Sequence, residues 1–232
     1  MKIAHQIPNI LTLSNLLFGM LAIIALTNAL IPTVIILIGC SLLADILDGA
    51  IARRLGVAGE LGIQLDSLAD VVSFGVLPAM MIFYCGARYG GGVPGQQIIA
   101  VFASLSAVSA GLRLGRFNVD VRPREYFWGL ATPAGAMLVA SWLWAQHTGR
   151  DYGFSVAEMP WLAVAIPVFI MIAYQVPLKL PGLKSPRPGI ITAAVLAIAT
   201  LIGLFTIGPI SITIGIVSYV GLGLLNLLIK WY

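Results

Sequence analysis

Carboxylates are scarce in this chain, and most of them occur in one short stretch. The sequence has nine Asp and Glu residues, and five of them fall within residues 45–70, DILDGAIARRLGVAGELGIQLDSLAD. Glu60 falls in a polar turn, but the other four are aspartates in apolar, helix-like sequence: Asp45, Asp48, Asp66 and Asp70. An acidic residue in a hydrophobic helix costs about 2.5–3.5 kcal/mol to insert, so these four mark a functional site by default.

The spacing of the aspartates places them in two pairs. Asp45 and Asp48 are three residues apart, and Asp66 and Asp70 are four apart, so each pair lies on one helical face. Helical rise is about 1.5 Å per residue, so the distance of each aspartate from the turn at Gly56–Leu61 can be estimated by counting residues. The two pairs face each other across this turn and form two layers, at roughly 7–12 Å and roughly 13–16 Å from it. The first layer holds Asp48 and Asp66, and the second holds Asp45 and Asp70. Such oxygen donors, with no His or Cys nearby, suit hard cations such as Mg²⁺ or Mn²⁺.

Two other interpretations of the acidic stretch stay open on the residues alone. The acids could be structural partners of Arg53 and Arg54, although two arginines cannot neutralise four carboxylates. They could also form an ion or proton pathway in a transporter. The transporter interpretation does not account for Gly49, Ala52 and Gly62, small residues that would let a ligand approach the backbone. Arg53 adds a fixed cation suited to a phosphate.

The composition indicates the environment in which the acids must be positioned. The chain is 59% hydrophobic and 9% charged, with a mean hydropathy of +1.00, whereas soluble domains carry about 25% charged residues. This composition excludes an ordinary soluble protein and predicts an all-α integral membrane protein. Cys40 and Cys85 lie in apolar runs and indicate neither a disulfide nor a metal pair. No cleavage site is evident near Asn9–Leu30, which we interpret as a retained span.

Hydropathy predicts a polytopic helical bundle. A helical span needs about 20 apolar residues, and the chain contains eight such runs: Asn9–Leu30, Ile31–Leu55, Gly62–Cys85, Gln96–Phe117, Gly129–His147, Met159–Gln175, Gly189–Ile207 and Ile210–Leu228. Pro133 and Pro167 interrupt the fifth and sixth runs. An even number of spans places both termini on the same side of the membrane.

The basic residues predict which side that is. If the N-terminus is cytoplasmic, the outer loops contain Arg88 and Arg150, and the other eleven basic residues are on the cytoplasmic side: Lys2, Arg53, Arg54, Arg113, Arg116, Arg122, Arg124, Lys179, Lys184, Arg187 and Lys230. The positive-inside rule therefore places both termini and the acidic hairpin at the cytoplasmic face.

The chain shows no repeat and no linker to a soluble domain, so we predict a single membrane domain, residues 1–232. We expect a catalytic core of six helices up to about residue 177 and two additional helices at about residues 189–230. Gly189–Leu228 contains no acid and no base, so the sequence gives these helices no chemical role.

The acidic stretch resembles a known family signature. It fits D-x2-D-G-x2-A-R-x8-G-x3-D-x3-D at every fixed position: Asp45, Asp48, Gly49, Ala52, Arg53, Gly62, Asp66 and Asp70. This pattern is similar to that of the CDP-alcohol phosphatidyltransferases, which transfer a phosphatidyl group from CDP-diacylglycerol to an alcohol and release CMP. The resemblance implies that the four aspartates bind two divalent cations, Mg²⁺ or Mn²⁺. It also implies that Asp70 is the general base and that Gly49, Ala52, Arg53 and Gly62 line the CDP pocket.

Four further segments resemble the phosphatidylserine synthase branch of that family: Pro8–Gly19, Ser73–Ala79, Gly111–Asn118 and Phe127–Ala136. The resemblance implies that L-serine is the acceptor and that phosphatidylserine is the product. A serine carboxylate needs a cation, and arginine is its natural partner. We therefore interpret Arg113 and Arg116, with Asn118 and Ser73, as serine-binding residues, although positive-inside anchoring could also explain the two arginines.

Polar residues also recur at every third position of the first span, at Asn9, Thr12 and Asn15. They could contact the nucleotide or form hydrogen bonds between helices. Asn9 and Thr12 are our candidates for CDP binding.

The resemblance leaves several alternatives and further expectations. Within the family, the acceptor could instead be glycerol 3-phosphate or inositol phosphate. From other classes, the candidates are an intramembrane prenyltransferase, which would need a second acid-rich helix pair, and a cation transporter. The expected partners are CDP-diacylglycerol, L-serine and the bilayer, without nucleic acid. A homodimer in a prokaryotic inner or plasma membrane is implied by resemblance alone.

Overall fold

The computed structural model describes residues 6–57, 59–89, 95–120, 127–149, 156, 158–180 and 187–229. Within these ranges the chain is almost entirely helical. The helices are α1 (Ile7–Thr27), α2 (Ile31–Leu55), α3 (Glu60–Asp70), α4 (Leu77–Tyr89), α5 (Gln96–Val119), α6 (Thr132–Thr148), α7 (Leu162–Gln175), α8 (Arg187–Thr206) and α9 (Ile210–Ile229). A π-helical segment, Val71–Val76, joins α3 to α4, and two short strands are present, β1 (Phe127–Trp128) and β2 (Lys179–Leu180).

The helical content and hydropathy confirm the prediction of an all-α polytopic membrane protein. Because α3, the π segment and α4 are consecutive, the described residues form eight continuous helical rods, one for each predicted span. Four rods are long and apolar enough to cross a membrane: Ile7–Thr27, Ile31–Leu55, Glu60–Arg88 and Gln96–Val119. Six basic residues that predicted the orientation lie outside the described residues: Lys2, Arg122, Arg124, Arg150, Lys184 and Lys230.

The first three rods run back and forth because specific residues begin and end them. Proline occupies the first turn of both α1 and α2, where its missing N–H is not needed. At the end of α2, Gly56 adopts a left-handed conformation with φ of 63°, which glycine tolerates without steric cost. The chain then turns back into α3, which begins at Glu60. Helices α2 and α3 both pack against α1 and not closely against each other, so the aspartates of α2 and Asp66 of α3 meet through their side chains.

The π segment begins directly after Asp70. Segments of this kind change the phase of a helix and are frequent at functional sites. Before it, α3 carries the aspartates, and after it Leu77, Met81 and Ile82 are fully buried in the apolar core. One continuous rod therefore presents carboxylates at one end and core side chains at the other.

The connection before α6 and the connection after α7 meet in a short ribbon. β1 pairs with β2 in antiparallel orientation, and the Gly129 N–H donates to the Leu178 carbonyl at 2.9 Å. Gly129 has φ of 77°, and a Cβ there would lie 3.1 Å from the Tyr174 carbonyl oxygen. The ribbon thus ties the start of α6 to the end of α7.

The last two helices attach to the bundle through α9. Helix α9 packs against α6 and β2, and α8 packs mainly against α9. Ser141 of α6 and Thr213 of α9 share a hydrogen bond of 2.6 Å. At the α8–α9 contact, a Cβ on Gly203 would lie 2.8 Å from the Ser211 Cβ, so the two helices approach closely at a glycine.

Candidate active site

Three of the four aspartates share one small volume. Asp45, Asp48 and Asp66 each place a carboxylate oxygen within 4.8 Å of the other two. Asp48 is buried, and Asp45 and Asp66 are half-buried. The first two come from α2 and the third from α3, so the group depends on the turn between these helices.

Asp70 lies outside this group of three. The spacing predicted that Asp70 would oppose Asp45 in a second layer; Asp70 does lie within electrostatic range of Asp45, but Asp45 shares its closest grouping with Asp48 and Asp66. The Asp70 carboxylate is turned towards α1, where its Oδ1 accepts a hydrogen bond of 3.1 Å from the Asn15 amide. Asp70 is buried, with 6% of its surface exposed.

Helix α1 supplies hydrogen-bond donors to two of the aspartates. The Thr12 hydroxyl donates to Asp48 Oδ2 at 2.6 Å, and the Asn15 amide donates to Asp70. The hydroxyl of Ser41 donates in turn to the Asn15 side-chain oxygen. Of the two interpretations of the α1 polar face, the structure shows hydrogen bonding between helices for Thr12 and Asn15. Asn15 was not among the predicted site residues, although its three-residue spacing from Thr12 was the available signal.

The predicted CDP-binding residues border the start of α3 and the end of α2. A Cβ on Gly62 would lie 3.8 Å from the Asn9 side-chain oxygen, and a Cβ on Gly49 would lie 3.2 Å from Arg53 Nη1. Asn9 therefore faces Gly62, and the Arg53 guanidinium folds back over Gly49. Ala52, like Gly49 and Gly62, is half-buried, so the backbone is partly accessible at all three small residues.

Arg113 of α5 is a buried cation in the neighbourhood of Asp70. Its side chain is 9% exposed, and it lies within electrostatic range of the Asp70 carboxylate and the Tyr174 hydroxyl. Its guanidinium carbon is 6.0 Å from the centre of the Phe117 ring, a cation–π distance. Among the described residues, Arg113 has no ion-pair partner, and its buried Nε has no hydrogen-bond partner.

The other predicted serine-binding residues already have partners in the protein. Arg116 donates to the Gln175 side-chain oxygen at 2.6 Å, and Asn118 donates to the Ser67 hydroxyl at 2.7 Å. Both are exposed and tie the end of α5 to α7 and α3. Ser73 is fully buried, and its hydroxyl donates to the Asn15 main-chain carbonyl at 3.1 Å. The structure thus brings Arg113 close to Asp70 and gives Arg116, Asn118 and Ser73 contacts between helices.

The donor set of the acidic group fits a divalent cation. All three ligand atoms are carboxylate oxygens, the donors that Mg²⁺ and Mn²⁺ prefer. Asp66 Oδ1 is buried and has no hydrogen-bond partner within the described part of the chain. Because an unsatisfied buried oxygen is costly, a bound cation would remove an energetic penalty here. The residues present therefore fit the metal dependence that the resemblance implies.

Comparisons with known proteins identify the same region. A family model described as CDP-alcohol phosphatidyltransferase matches residues 5–173, a range that contains every predicted site residue. The chain is 34% identical over 138 residues to a CDP-diacylglycerol–serine O-phosphatidyltransferase of Helicobacter pylori, covering 58% of this chain and 56% of that protein. It is 34% identical over 137 residues to a protein of the same name from Bacillus subtilis, covering 58% and 74%.

A longer match extends beyond the acidic hairpin and α5. The chain is 33% identical over 184 residues to an archaetidylserine synthase of Methanothermobacter thermautotrophicus, covering 78% of this chain and 70% of that protein. With the Helicobacter pylori relative, by contrast, the chain spans little more than half of the relative's length.

Proposed function

Since the chain belongs to the CDP-alcohol phosphatidyltransferase family, we propose that it transfers the phosphatidyl group of CDP-diacylglycerol to L-serine, giving phosphatidylserine and CMP. The observation that carries this proposal is Arg113, a buried cation that has no ion-pair partner among the described residues and lies within electrostatic range of Asp70. The names of the relatives from Helicobacter pylori and Bacillus subtilis support serine as the acceptor.

The four aspartates are the proposed ligands of two divalent cations, Mg²⁺ or Mn²⁺. When bound, such cations neutralise charge on the diphosphate and on the departing CMP. The grouping of Asp45, Asp48 and Asp66 supports this assignment, as does the buried Asp66 oxygen that lacks a hydrogen bond. Asp70 would complete the ligand set from the α1 side.

Asp70 is also the proposed general base. The serine oxygen attacks the β-phosphorus, a new O–P bond forms, and the P–O bond to CMP breaks. Asp70 accepts the hydroxyl proton during the attack, so its position beside the acceptor is what matters. Its burial and its hydrogen bond to Asn15 support a fixed position for this carboxylate.

The CDP moiety would bind where α1, α2 and α3 meet. Arg53 is suited to a phosphate group, and Gly49, Ala52 and Gly62 would allow the nucleotide to approach the backbone. Asn9, which faces Gly62, offers an amide to the base or sugar. Thr12 borders the same place, and we propose that it acts there through its hydrogen bond to Asp48.

Arg113 is the proposed partner of the serine carboxylate. The cation has no ion pair among the described residues, and burial makes a bidentate pair with a carboxylate stronger than it would be in water. The proposed serine site is bordered by three further residues, Arg116, Asn118 and Ser73. Their hydrogen bonds hold α5 and α1 in place around Arg113 and Asp70.

The remaining parts of the proposal concern the setting of the site. We propose a prokaryotic inner or plasma membrane, with both termini and the active site at the cytoplasmic face, because basic residues accumulate on that side. Helices α1–α7 would form the catalytic core, and α8–α9 would be an added hairpin that attaches through α9. A homodimer is proposed from family membership.

An acceptor panel tests the function. Purified protein with CDP-diacylglycerol and Mn²⁺ should release CMP when L-serine is added and should form phosphatidylserine. Release with glycerol 3-phosphate or inositol phosphate, and none with serine, would retain the family and refute the acceptor. A donor with ether-linked chains belongs in the panel because one relative is named archaetidylserine synthase. Metal flux into liposomes without CMP release from any acceptor would favour a transporter.

A further inference from the structure

Three buried side chains from three helices form a hydrogen-bonded chain that ends on Asp70. The Ser41 hydroxyl of α2 donates to the side-chain oxygen of Asn15 in α1. The Asn15 amide nitrogen donates to Asp70 Oδ1 in α3 at 3.1 Å. Ser41 and Asn15 are fully buried, and Asp70 is 6% exposed. Hydrogen bonds in such a water-poor place are strong and directional.

The direction of the bond to Asp70 is fixed by chemistry. An ionised carboxylate and an amide oxygen both accept hydrogen bonds and cannot donate them, so the NH₂ group of Asn15 must face Asp70. The Asn15 side-chain oxygen then faces the Ser41 hydroxyl, which donates to it and also lies 3.3 Å from the Asn15 main-chain carbonyl. Ser41 therefore supports the orientation in which Asn15 donates to Asp70.

Asn15 is also held firmly at its backbone. The Ser73 hydroxyl donates to the Asn15 main-chain carbonyl at 3.1 Å, and Ser73 follows Asp70 by three residues in the π segment. Gly19 makes this approach possible, since a Cβ there would lie 3.0 Å from the Ser73 Cα. The backbone of α1 and the helix that carries Asp70 are thus locked together at this depth.

We propose that Asn15 is a positioning residue that holds Asp70 by Oδ1 and leaves Oδ2 as the oxygen for the acceptor hydroxyl or a cation, and that Ser41 fixes the donating orientation of the Asn15 amide. No hydrogen bond to Asp70 Oδ2 is formed by the described residues. The catalytic part of this inference rests on the proposed function, while the effect on cation binding does not.

Polar residues that served only to hold helices together would not need to form hydrogen bonds with the aspartates. In α1, which contains no acid and no base, the two buried polar side chains, Thr12 and Asn15, both donate to aspartates of the candidate site. Partners of metal-binding carboxylates orient them, and losing such a partner typically costs about 10- to 100-fold in metal affinity or activity.

Two substitutions at Ser41 that are isosteric with each other provide the sharpest test. Threonine keeps the hydroxyl of Ser41, whereas valine has the shape of threonine without it, so S41T and S41V differ by one hydrogen bond. We expect S41V to lower kcat about tenfold relative to S41T at saturating Mn²⁺ and to weaken Mn²⁺ binding in calorimetry. The KM values for serine and CDP-diacylglycerol should agree within about threefold between the two variants.

Asn15→Leu removes the amide at nearly constant size and should lower kcat by about 10- to 100-fold. Ser106→Val is the control, because the buried Ser106 hydroxyl bonds to the Ala103 carbonyl of its own helix. It should leave kcat and Mn²⁺ affinity unchanged, and Tm values for every variant separate folding from positioning.

Equal kcat and equal Mn²⁺ affinity in S41T and S41V would overturn the inference, as would an Asn15→Leu protein of normal turnover. A change confined to the KM for serine would also refute it, because positioning of Asp70 acts on the reaction step. If Asn15→Leu does not fold, the comparison of kcat and Mn²⁺ affinity between S41T and S41V decides the inference. If the wild-type protein releases no CMP with any acceptor, the proposed function fails, and Mn²⁺ affinity in the Ser41 pair still decides this inference.

Discussion

Replacing Arg113 with methionine should weaken serine binding far more than binding of CDP-diacylglycerol. Methionine retains much of the length of the side chain and removes the cation. Arg113 is 9% exposed and has no ion-pair partner within the described ranges, so a serine carboxylate would meet little competition from solvent. A hydrogen bond to a charged group contributes about 1.5–3 kcal/mol. Since about 1.4 kcal/mol is a factor of ten, the serine KM should rise about 10- to 150-fold.

The assay measures CMP release while serine or CDP-diacylglycerol is varied in turn. The KM for CDP-diacylglycerol should stay within about threefold of the wild-type value, because the reacting diphosphate is assigned to the aspartate side. Arg113→Lys should fall between the wild-type protein and Arg113→Met, since lysine keeps the charge and loses the bidentate geometry. Arg116→Met should have a smaller effect, because that side chain is exposed and bound to Gln175.

Ethanolamine, which lacks the carboxylate of serine, identifies the group that Arg113 recognises. The wild-type protein should prefer serine to ethanolamine, and Arg113→Met should lose most of that preference. Arg88→Met is the matched charge control, because Arg88 is an exposed residue in the last turn of α4. If Arg113→Met impaired both acceptors equally, or raised both KM values together, the carboxylate assignment would be refuted.

Three further perturbations follow from the site. Asp70→Asn should abolish serine-dependent CMP release while Tm is maintained, and near-normal turnover would exclude Asp70 as the base. Gly62→Ala should preserve or raise Tm, because its Cβ would make an ordinary contact of 3.8 Å with Asn9 and alanine favours a helix by about 1 kcal/mol. The same substitution should raise the KM for CDP-diacylglycerol, and an unchanged KM would exclude Gly62 from the CDP pocket. Gly19→Ala should destabilise the protein by about 1–3 kcal/mol through overpacking against Ser73, measured as a fall in Tm, and an unchanged Tm would contradict the close approach of α1.

Hydropathy was sufficient to predict the helices because helices in a membrane appear in the sequence as apolar runs, even where Pro133 and Pro167 interrupt them. The spacing of the acids was equally informative. Residues three or four apart share a helical face, and the short turn at Gly56 reverses the chain so that Asp66 of α3 can meet the aspartates of α2, although α3 itself packs on α1. The grouping of Asp48 with Asp66 follows from that geometry.

The features that the sequence did not predict depend on contacts between distant segments. A polar residue in an apolar helix has the same appearance whether it meets a ligand or another helix, so Asn15 could be assigned only when Ser41 and Asp70 were seen around it. The π segment after Asp70 carries no evident local signal in VVSFGV. Arg113 and Arg116 look alike in the sequence, and their different burial depends on how α5 packs against α4, the π segment and α7 together.

The close pairing of α1 with α2 has a consequence for synthesis of the protein. These helices are separated by residues 28–30, and a chain is made from its N-terminus, so both members of the pair are synthesised before α3. When they insert as a pair, Thr12 can donate to Asp48 and offset part of the cost of inserting that carboxylate. The bond between Ser41 and Asn15 also lies within this pair. The amide that receives Asp70 therefore has its orienting partner without any contribution from α3.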